Sequence, residues 1–318
     1  MPHYTARERN MTDLSISVAS YRTPAALQQC LSALEGERSG LEIEVTVVDN
    51  ASGDSSADMV ATQFPWVRLV RNARNVGFGA AHNRALHLAR GRYFLVLNSD
   101  ASPRPGALRV LVDYLDSHPG VAVAGPKLVH PDGRVQPSRR RFPTLATLFL
   151  ESTQLQRFSS DNVVLRRYYV ADRSDDVSQE VDWLVGACLC IRAHAVERVG
   201  LFDERFFMYS EELDLCRRMR AAGWQVAYVP RAEVVHLEGA SARQDLGARD
   251  GQFQASKLVY AAKWHGAGAA RALRAYLVLE YLARAGEEGL KLALGSRVAE
   301  RRARLRVIGS GLRHALRG

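Results

Sequence analysis

Several polar side chains stand directly after apolar runs, where a strand end would offer them to a ligand. Asn98-Ser99-Asp100 follows Tyr-Phe-Leu-Val-Leu. A carboxylate projecting from such an end into a cleft can hold Mg2+ or Mn2+ beside a diphosphate, because these hard cations take oxygen ligands and keep other positions for phosphate and water. The same three residues also make an ordinary turn. Asp49, followed by Asn50, closes a β-branched run and could accept from a pyrimidine N–H or a ribose hydroxyl, or cap the helix after it. Asn75, Gly77, Phe78, Gly79 and Asn83 lie in NVGFGAAHNRA. Glycines ahead of a helix let backbone approach a phosphate or ribose closely, and they also mark plain turns.

A second cluster, Glu211, Glu212 and Asp214, crowds into FFMYSEELDLCRRM. Acidic residues in a first helical turn are favoured by the helix dipole, which accounts for one or two of them. Three beside an aromatic run suggest more, since a partly buried carboxylate with like-charged neighbours has a raised pKa and suits a general base for a hydroxyl. His236, in VVHLEGAS, could ligate a metal through one ring nitrogen or serve a structural role.

The elements that must position these groups alternate. Strands are expected at Leu14–Ala19, Glu44–Val48, Val67–Val70, Tyr93–Leu97 and Val121–Ala124, with helices at Pro24–Leu34, Gly79–Ala89 and Pro105–Ser117 between them. Strand and helix alternating in this way predict an α/β fold with a mostly parallel sheet covered on both faces, whose ligands bind outside the carboxyl ends of the strands. Pro126 to Val181 is irregular and could cover an active site. Val181 opens a long apolar strand, VDWLVGACLCI. A helix at Glu212–Ala222, strands at Gln225–Val229 and Glu233–His236, and an Arg-rich helical tail after Gly239 complete the pattern.

With 318 residues, 47% of them hydrophobic, the chain can bury a sizeable core. Its start lacks the pattern of a secretory signal and no stretch is apolar enough to span a bilayer, which suggests the cytoplasm. Cys30, Cys188, Cys190 and Cys216 fit neither a zinc site nor a disulfide framework and read as buried thiols. From Gly251 onward thirteen Lys and Arg face four Glu, so the whole net charge of +9 belongs to the tail. Such a segment seeks an anionic surface, lipid or nucleic acid. Nucleic-acid binding is disfavoured because interleaved aromatics and a binding motif are missing, and a nucleotidyltransferase would open with a Gly-rich basic loop where this chain reads SVASYRTPAA. Val298, Leu305, Ile308, Leu312 and Leu316 would form one apolar helical stripe flanked by arginines. It predicts peripheral binding to anionic membrane on the inner face, although the same stripe would serve to pack the helix on the catalytic domain or on a second subunit, and Gly309 and Gly311 weaken the helix.

Taken together, VVDNAS, NVGFGAAHN, LNSDA, WLVGACLCIR, GLFDERFFMYSEELDLCRRMRAAGW and VVHLEGAS resemble the family-2 glycosyltransferases, and within them the bacterial rhamnosyltransferase-like group. The resemblance covers about residues 14–240 and implies a GT-A fold with a nucleotide-binding half (14–125), an acceptor half (126–240) and a helical basic extension (241–318). It implies a nucleotide-sugar donor, a glycan or polyprenyl-linked acceptor, Mg2+ or Mn2+, and inversion at the anomeric carbon. On matching positions it puts Asp49 on the nucleobase, Asp100 and His236 on the metal, Glu212 as the base with Glu211 beside it, and Trp183, Gly186 and Ala187 on the acceptor side. It favours dTDP-L-rhamnose, while UDP-hexoses or galactofuranose suit the same fold. Two positions depart from the usual pattern: Asn98 replaces the first acidic residue of D-x-D, and Glu212 replaces the usual Asp.

Overall fold

The computed structural model describes residues 12–158, 162–239, 246–295 and 297–317. The strands are β1 (Leu14–Ser20), β2 (Ile43–Asp49), β3 (Arg68–Arg71), β4 (Tyr93–Asn98), β5 (Ala101–Pro103), β6 (Val121–Val129), β7 (Val135–Gln136), β8 (Arg139–Arg140), β9 (Gln179–Val181), β10 (Trp183–Leu184), β11 (Cys188–Arg192) and β12 (Gln225–His236). The helices are α1 (Pro24–Glu37), α2 (Ser56–Gln63), α3 (Phe78–Leu86), α4 (Ala107–Ser117), α5 (Leu145–Leu150), α6 (Gln154–Phe158), α7 (Val163–Tyr168), α8 (Ala193–Val199), α9 (Glu211–Ala221), α10 (Leu246–His265), α11 (Ala267–Ala293) and α12 (Val298–Arg317).

The main sheet runs β3-β2-β1-β4-β11-β6-β12-β5, with β7 on β6 and β9 on β12. β3, β2, β1 and β4 are mutually parallel, as expected from the alternation. β1 is buried nearly throughout, so its sequence is an apolar run with small polar residues rather than a strict alternation. α1 starts on Pro24, whose missing N–H costs nothing in a first turn, and buries Leu27, Cys30, Leu31 and Leu34 at helical spacing.

The second half departs from expectation at one instructive place. VDWLVGACLCI is not one strand: β9 pairs with β12 at the side of the main sheet, β10 leaves that sheet to pair with β8, and β11 sits within it, antiparallel to β4 and β6. Nearly every residue in the segment is apolar enough for a core, but three different edges bury it. Gly186 and Ala187 fall at the last break. β12, conversely, is one strand where two were expected, with a register shift between Val229 and Glu233 around Pro230, which has no N–H to give a ladder.

α10, α11 and α12 pack on one another and share a core with the sheet. Tyr260, Leu273, Leu277, Tyr281, Ile308 and Ala315 join Val96, Leu189, Leu215 and Val226 in one buried cluster. The stripe expected on α12 is divided: Ile308 is buried and Leu312 packs against the same cluster, while Val298 and Leu316 are exposed. Gly311 is explained by packing, since a Cβ there would meet the Tyr281 ring at 2.4 Å. The boundary expected at residue 240 falls at the edge of 240–245, outside the described residues. Among the described residues no helix is long and apolar enough to cross a membrane. All four cysteines are free and buried, as expected.

Candidate active site

Parallel register brings the first group of polar residues to one edge. β1 aligns Ser20 with Asp49 and Ala19 with Asn98, so the ends of β2 and β4 flank the end of β1. Asp49 is buried there, and its Oδ1 has no hydrogen-bond partner among the described residues. Asn50 is a clamp: its Nδ2 donates to Asn75 Oδ1 at 2.8 Å and to the Gly77 carbonyl, while its Oδ1 accepts from Asn72 and from the Val76 N–H. Asn75 in turn accepts from the Gly77 N–H at 2.9 Å. Gly77 itself has φ of +90°, and a Cβ there would lie 2.2 Å from the Phe207 carbonyl oxygen. The Phe78 N–H donates to that same oxygen at 2.8 Å. Asn83 serves the same seam, because its amide is committed to the backbone of Phe202 on both sides and to Glu204. The NVGFG loop is thus locked to the segment that leads into α9.

β5 pairs antiparallel with β12 so that His236 lies opposite Ala101, next to Asp100. His236 Nε2 is 3.2 Å from Asp100 Oδ1 and 3.2 Å from Asn98 Nδ2. Its Nδ1 lies 2.8 Å from Gln136 Oε1, an acceptor only, and its Nε2 faces the Asn98 amide donor, so Nδ1 carries the proton and Nε2 accepts from Asn98. Asn98 Oδ1 is buried without a partner among the described residues. Ser99 hydrogen-bonds Thr23 at 2.9 Å. A carboxylate, an imidazole nitrogen and the orphaned Asn98 oxygen fit a cation that takes most of its ligands from phosphate and water. Among the described residues no group of three or more His, Cys, Asp and Glu stands ready to cage one.

Glu211 and Glu212 open α9 after a strained turn, with Tyr209 at φ +71° and Ser210 at φ +65°, both in the left-handed region. Both carboxyls are buried, and Oε2 of each lacks a partner among the described residues. Burial holds the pKa of both above the usual carboxylate range; for Glu211 the neighbouring Glu212 adds to this, while backbone N–H groups, including that of Gly186, oppose it for Glu212. Asp214 differs. It is fully buried but paired with Arg218 at 2.9 Å and Lys263 at 2.7 Å, and it accepts from Trp264, so it braces α9 to α10. Arg217, on the same helix, lies over the Trp264 and Tyr260 rings.

Phe78, Asn98, Ser99, Asp100, His236, Glu211 and Glu212 line a shared cavity of about 210 Å3, whereas Asp49, Asn50, Asn75, Gly77 and Asn83 lie outside its lining. Gly186 and Ala187 line it too, whereas Trp183 lines an adjoining cavity. A family model described as glycosyltransferase like family 2 matches residues 12–252. The chain is 32% identical, over 80% of its length and 86% of the relative's, to the N-acetylglucosaminyl-diphospho-decaprenol L-rhamnosyltransferase of Mycobacterium tuberculosis. The chain belongs to glycosyltransferase family 2. The rhamnosyltransferase WbbL of Escherichia coli is 30% identical over 50% of this chain and 60% of its own. Among solved structures, the mannosyltransferase PcManGT from Pyrobaculum calidifontis, in complex with GDP-Man and Mn2+, aligns over 99% of this chain and 89% of its own with a TM-score of 0.55 at 18% identity. GalNAc-T7 with UDP, GalNAc and Mn2+ aligns with a TM-score of 0.53 at 14% identity, over 73% of this chain and 45% of its own. These likenesses show the fold, which is GT-A.

Some wall residues of this glycosyltransferase carry no signal in the sequence. Gln136, which sets the His236 tautomer, sits on a two-residue strand after a turn. Arg249 brings a cation to the cavity from α10, in a helix that reads as part of a generally basic tail. Met208 and Tyr209 line it from the strained turn, whose φ values leave no mark in an aromatic run.

Proposed function

We propose that this glycosyltransferase moves L-rhamnose from dTDP-L-rhamnose to a hydroxyl of a lipid-linked glycan, with inversion at the anomeric carbon, in the synthesis of a cell-surface polysaccharide. The observation that carries the chemistry is the free Oε2 of Glu212, buried in the same cavity as Asp100 and His236. The donor and acceptor classes rest on the relatives, two of which are rhamnosyltransferases, one named for a diphospho-decaprenol acceptor.

In this reading Asp49, at the outer end of β2, holds the nucleobase through its unpartnered Oδ1, and the Gly77–Phe78 backbone bounds the ribose. Arg249 neutralises part of the diphosphate charge. Asp100 and His236 Nε2 would hold Mg2+ or Mn2+, which when bound supplies positive charge to the leaving diphosphate. Glu212 takes the proton of the acceptor hydroxyl as its oxygen attacks the anomeric carbon from the face opposite the nucleotide. A carboxyl held above its usual range by burial is matched to that task, since it can accept a proton near neutrality and hold it. Gly186 donates to the other oxygen of Glu212 at 3.3 Å and keeps the carboxylate aimed. A lipid-linked acceptor would draw the enzyme to the inner face of the membrane as a peripheral protein.

The test is a donor panel of dTDP-rhamnose, UDP-hexoses and UDP-galactofuranose, with N-acetylglucosaminyl-diphospho-prenol as acceptor and nucleotide release and product mass as readouts. Transfer from dTDP-rhamnose with a β-configured product from an α-configured donor, or the reverse, is expected. Transfer from a UDP-sugar alone would overturn the rhamnose assignment, and retention of configuration would overturn the role given to Glu212.

A further inference from the structure

The start of α9, which presents Glu211 and Glu212, is not fixed by its own sequence. Tyr209 and Ser210, just before it, are both left-handed at φ +71° and +65°. Such backbone is costly for any residue with a side chain and persists only where its surroundings over-determine it. Ser210 holds the capping position of α9, yet its side chain makes no cap hydrogen bond. Something outside the turn must therefore hold it. One support is the Phe207 carbonyl, which accepts from the Phe78 N–H. The other is α10.

Arg249, Phe253 and Ser256 follow one another on α10 at intervals of four and three, which puts them on one face of the helix. All three reach the turn. Arg249 shares a side-chain hydrogen bond with Tyr209. The Phe253 ring meets the Tyr209 ring edge-on, with centroids 5.6 Å apart. Ser256 is 4% exposed, and its hydroxyl donates to the Met208 carbonyl at 2.7 Å. Phe253 and Ser256 lie past residue 252, where the match to the family ends.

Close packing does not explain how the turn stays forward. A cavity of about 240 Å3, lined among others by Arg205, Phe207, Ser256 and His314, lies between the segment leading into the turn and the helices α10 and α12. A turn with open space on that side can recede unless a directional bond holds it. Met208 and Tyr209 line the same cavity as Glu212, so a retreat of the turn displaces the wall and the helix start together.

Resting on the role given to Glu212 above, we propose that Ser256 is a positioning residue for sugar transfer: by tethering the Met208 carbonyl it sets where α9 begins, and so where the Glu212 carboxyl stands. Ser256 lines neither of the two cavities that Glu212 lines, and it acts through the turn alone.

The experiment compares Ser256→Ala, Ser256→Thr and Gln254→Ala in the full chain. Each is measured for kcat, for affinity toward the sugar nucleotide that the wild type turns over, for melting temperature and for amide hydrogen exchange across residues 208–213. Gln254 is the control, since it is 2% exposed on the same helix and donates to the Ser152 carbonyl at 3.2 Å, away from the turn. Ser256→Ala is expected to lower kcat about 10- to 100-fold while donor affinity holds within about twofold, because a small misplacement of a reacting group is that costly. Exchange at 208–213 should quicken about tenfold in the same variant. Ser256→Thr keeps the hydroxyl, and its added methyl can enter the cavity beside it, so kcat should return to within about threefold of the wild type. Gln254→Ala should keep kcat within about twofold even where its melting temperature falls as far. An unchanged kcat or unchanged exchange in Ser256→Ala, a Thr variant as slow as the Ala one, or an equal kcat loss in Gln254→Ala would each sink the proposal. A wild type that transfers from no donor strikes the function instead, and exchange at 208–213 still reports whether Ser256 holds the turn.

Discussion

The two sides of the cavity are built by different means. On one side Asn98 stands at the end of β4, with Asp49 beyond it at the end of β2 on the other flank of β1, and an Asn50–Asn72–Asn75 network fixes the loop between β3 and α3. On the other side short strands, a turn with two left-handed residues and the start of α9 carry Glu211, Glu212 and Gly186, and what holds them lies far away in the chain. The Met208 carbonyl accepts from Ser256, and Asp214 is paired with Lys263, so α10 braces the turn from behind. Parallel strand ends provide a rigid edge that needs only local sequence. The base, which must meet its hydroxyl within a few tenths of an ångström, depends on a scaffold assembled from distant parts.

The largest effect should come from the braced side. Glu212→Gln keeps the shape and removes the basicity, and is expected to lower turnover roughly 100- to 10,000-fold with little change in donor affinity. Glu212→Asp should keep part of the activity. Near-wild-type turnover by Glu212→Gln beside a dead Glu211→Gln would move the base by one position. Asp214→Asn should act differently, through loss of a buried ion pair, and show first as a lower melting temperature.

The strand-edge side is next. Asp100→Ala should lower turnover about 100-fold or more, and chelation should do the same to the wild type, reversed by Mn2+ or Mg2+. Undiminished activity after exhaustive chelation would leave Asn98-Ser99-Asp100 as only a turn. Gln136 joins the two sides, and Gln136→Leu frees the His236 ring to change tautomer. Mn2+ affinity in the presence of dTDP, measured by calorimetry, should weaken about 10- to 100-fold. An unchanged affinity would mean that His236 does not ligate.

The same division governs what is legible in the sequence. Asp49, Asn98 and His236 each close a strand and Asp100 stands in the turn after β4, and strand ends are visible as an apolar run meeting a polar residue. The parallel direction of β3, β2, β1 and β4 follows from strand–helix alternation. Gln136 lies a hundred residues from the histidine it orients. Nothing local in Val135-Gln136 encodes that pairing. VDWLVGACLCI reads as one strand because burial, not partner, sets its composition. An apolar stripe on α12 looks alike whether it meets lipid or α10 and α11, and here Ile308 and Leu312 meet the chain's own core while Val298 and Leu316 stay exposed.

A milder test of the seam between the two sides is Gly77→Ala. Its Cβ would strike the Phe207 carbonyl, and φ of +90° strains any L side chain, so a loss of about 2–4 kcal/mol is expected. Gly133→Ala is the control: φ is +83° but nothing lies within 4 Å of the added carbon, and about 1 kcal/mol is expected. Equal losses in chemical denaturation would mean that the contact with Phe207 adds nothing to the backbone strain.

The smallest effect separates the two glutamates from the paired carboxylates elsewhere. The pKa of Glu211 is raised in the folded protein, by burial first and by Glu212 second. A carboxyl with a higher pKa folded than unfolded binds more protons when folded, so its contribution to stability is complete below the unfolded value and is lost as pH rises through the folded one. Asp203 goes the other way. Its hydrogen bonds from Arg205 and Lys263 hold it below the usual range, so it contributes above the unfolded value and fails only in acid. Melting temperatures across pH 4–8 should therefore decline toward neutrality more steeply in the wild type than in Glu211→Gln. The variant should melt roughly 2–5 °C higher at pH 8 and match the wild type near pH 4. Parallel curves for the two proteins would mean that Glu211 is charged and solvated in the folded state, and that the carboxyl pair beside the cavity is not desolvated as its burial implies.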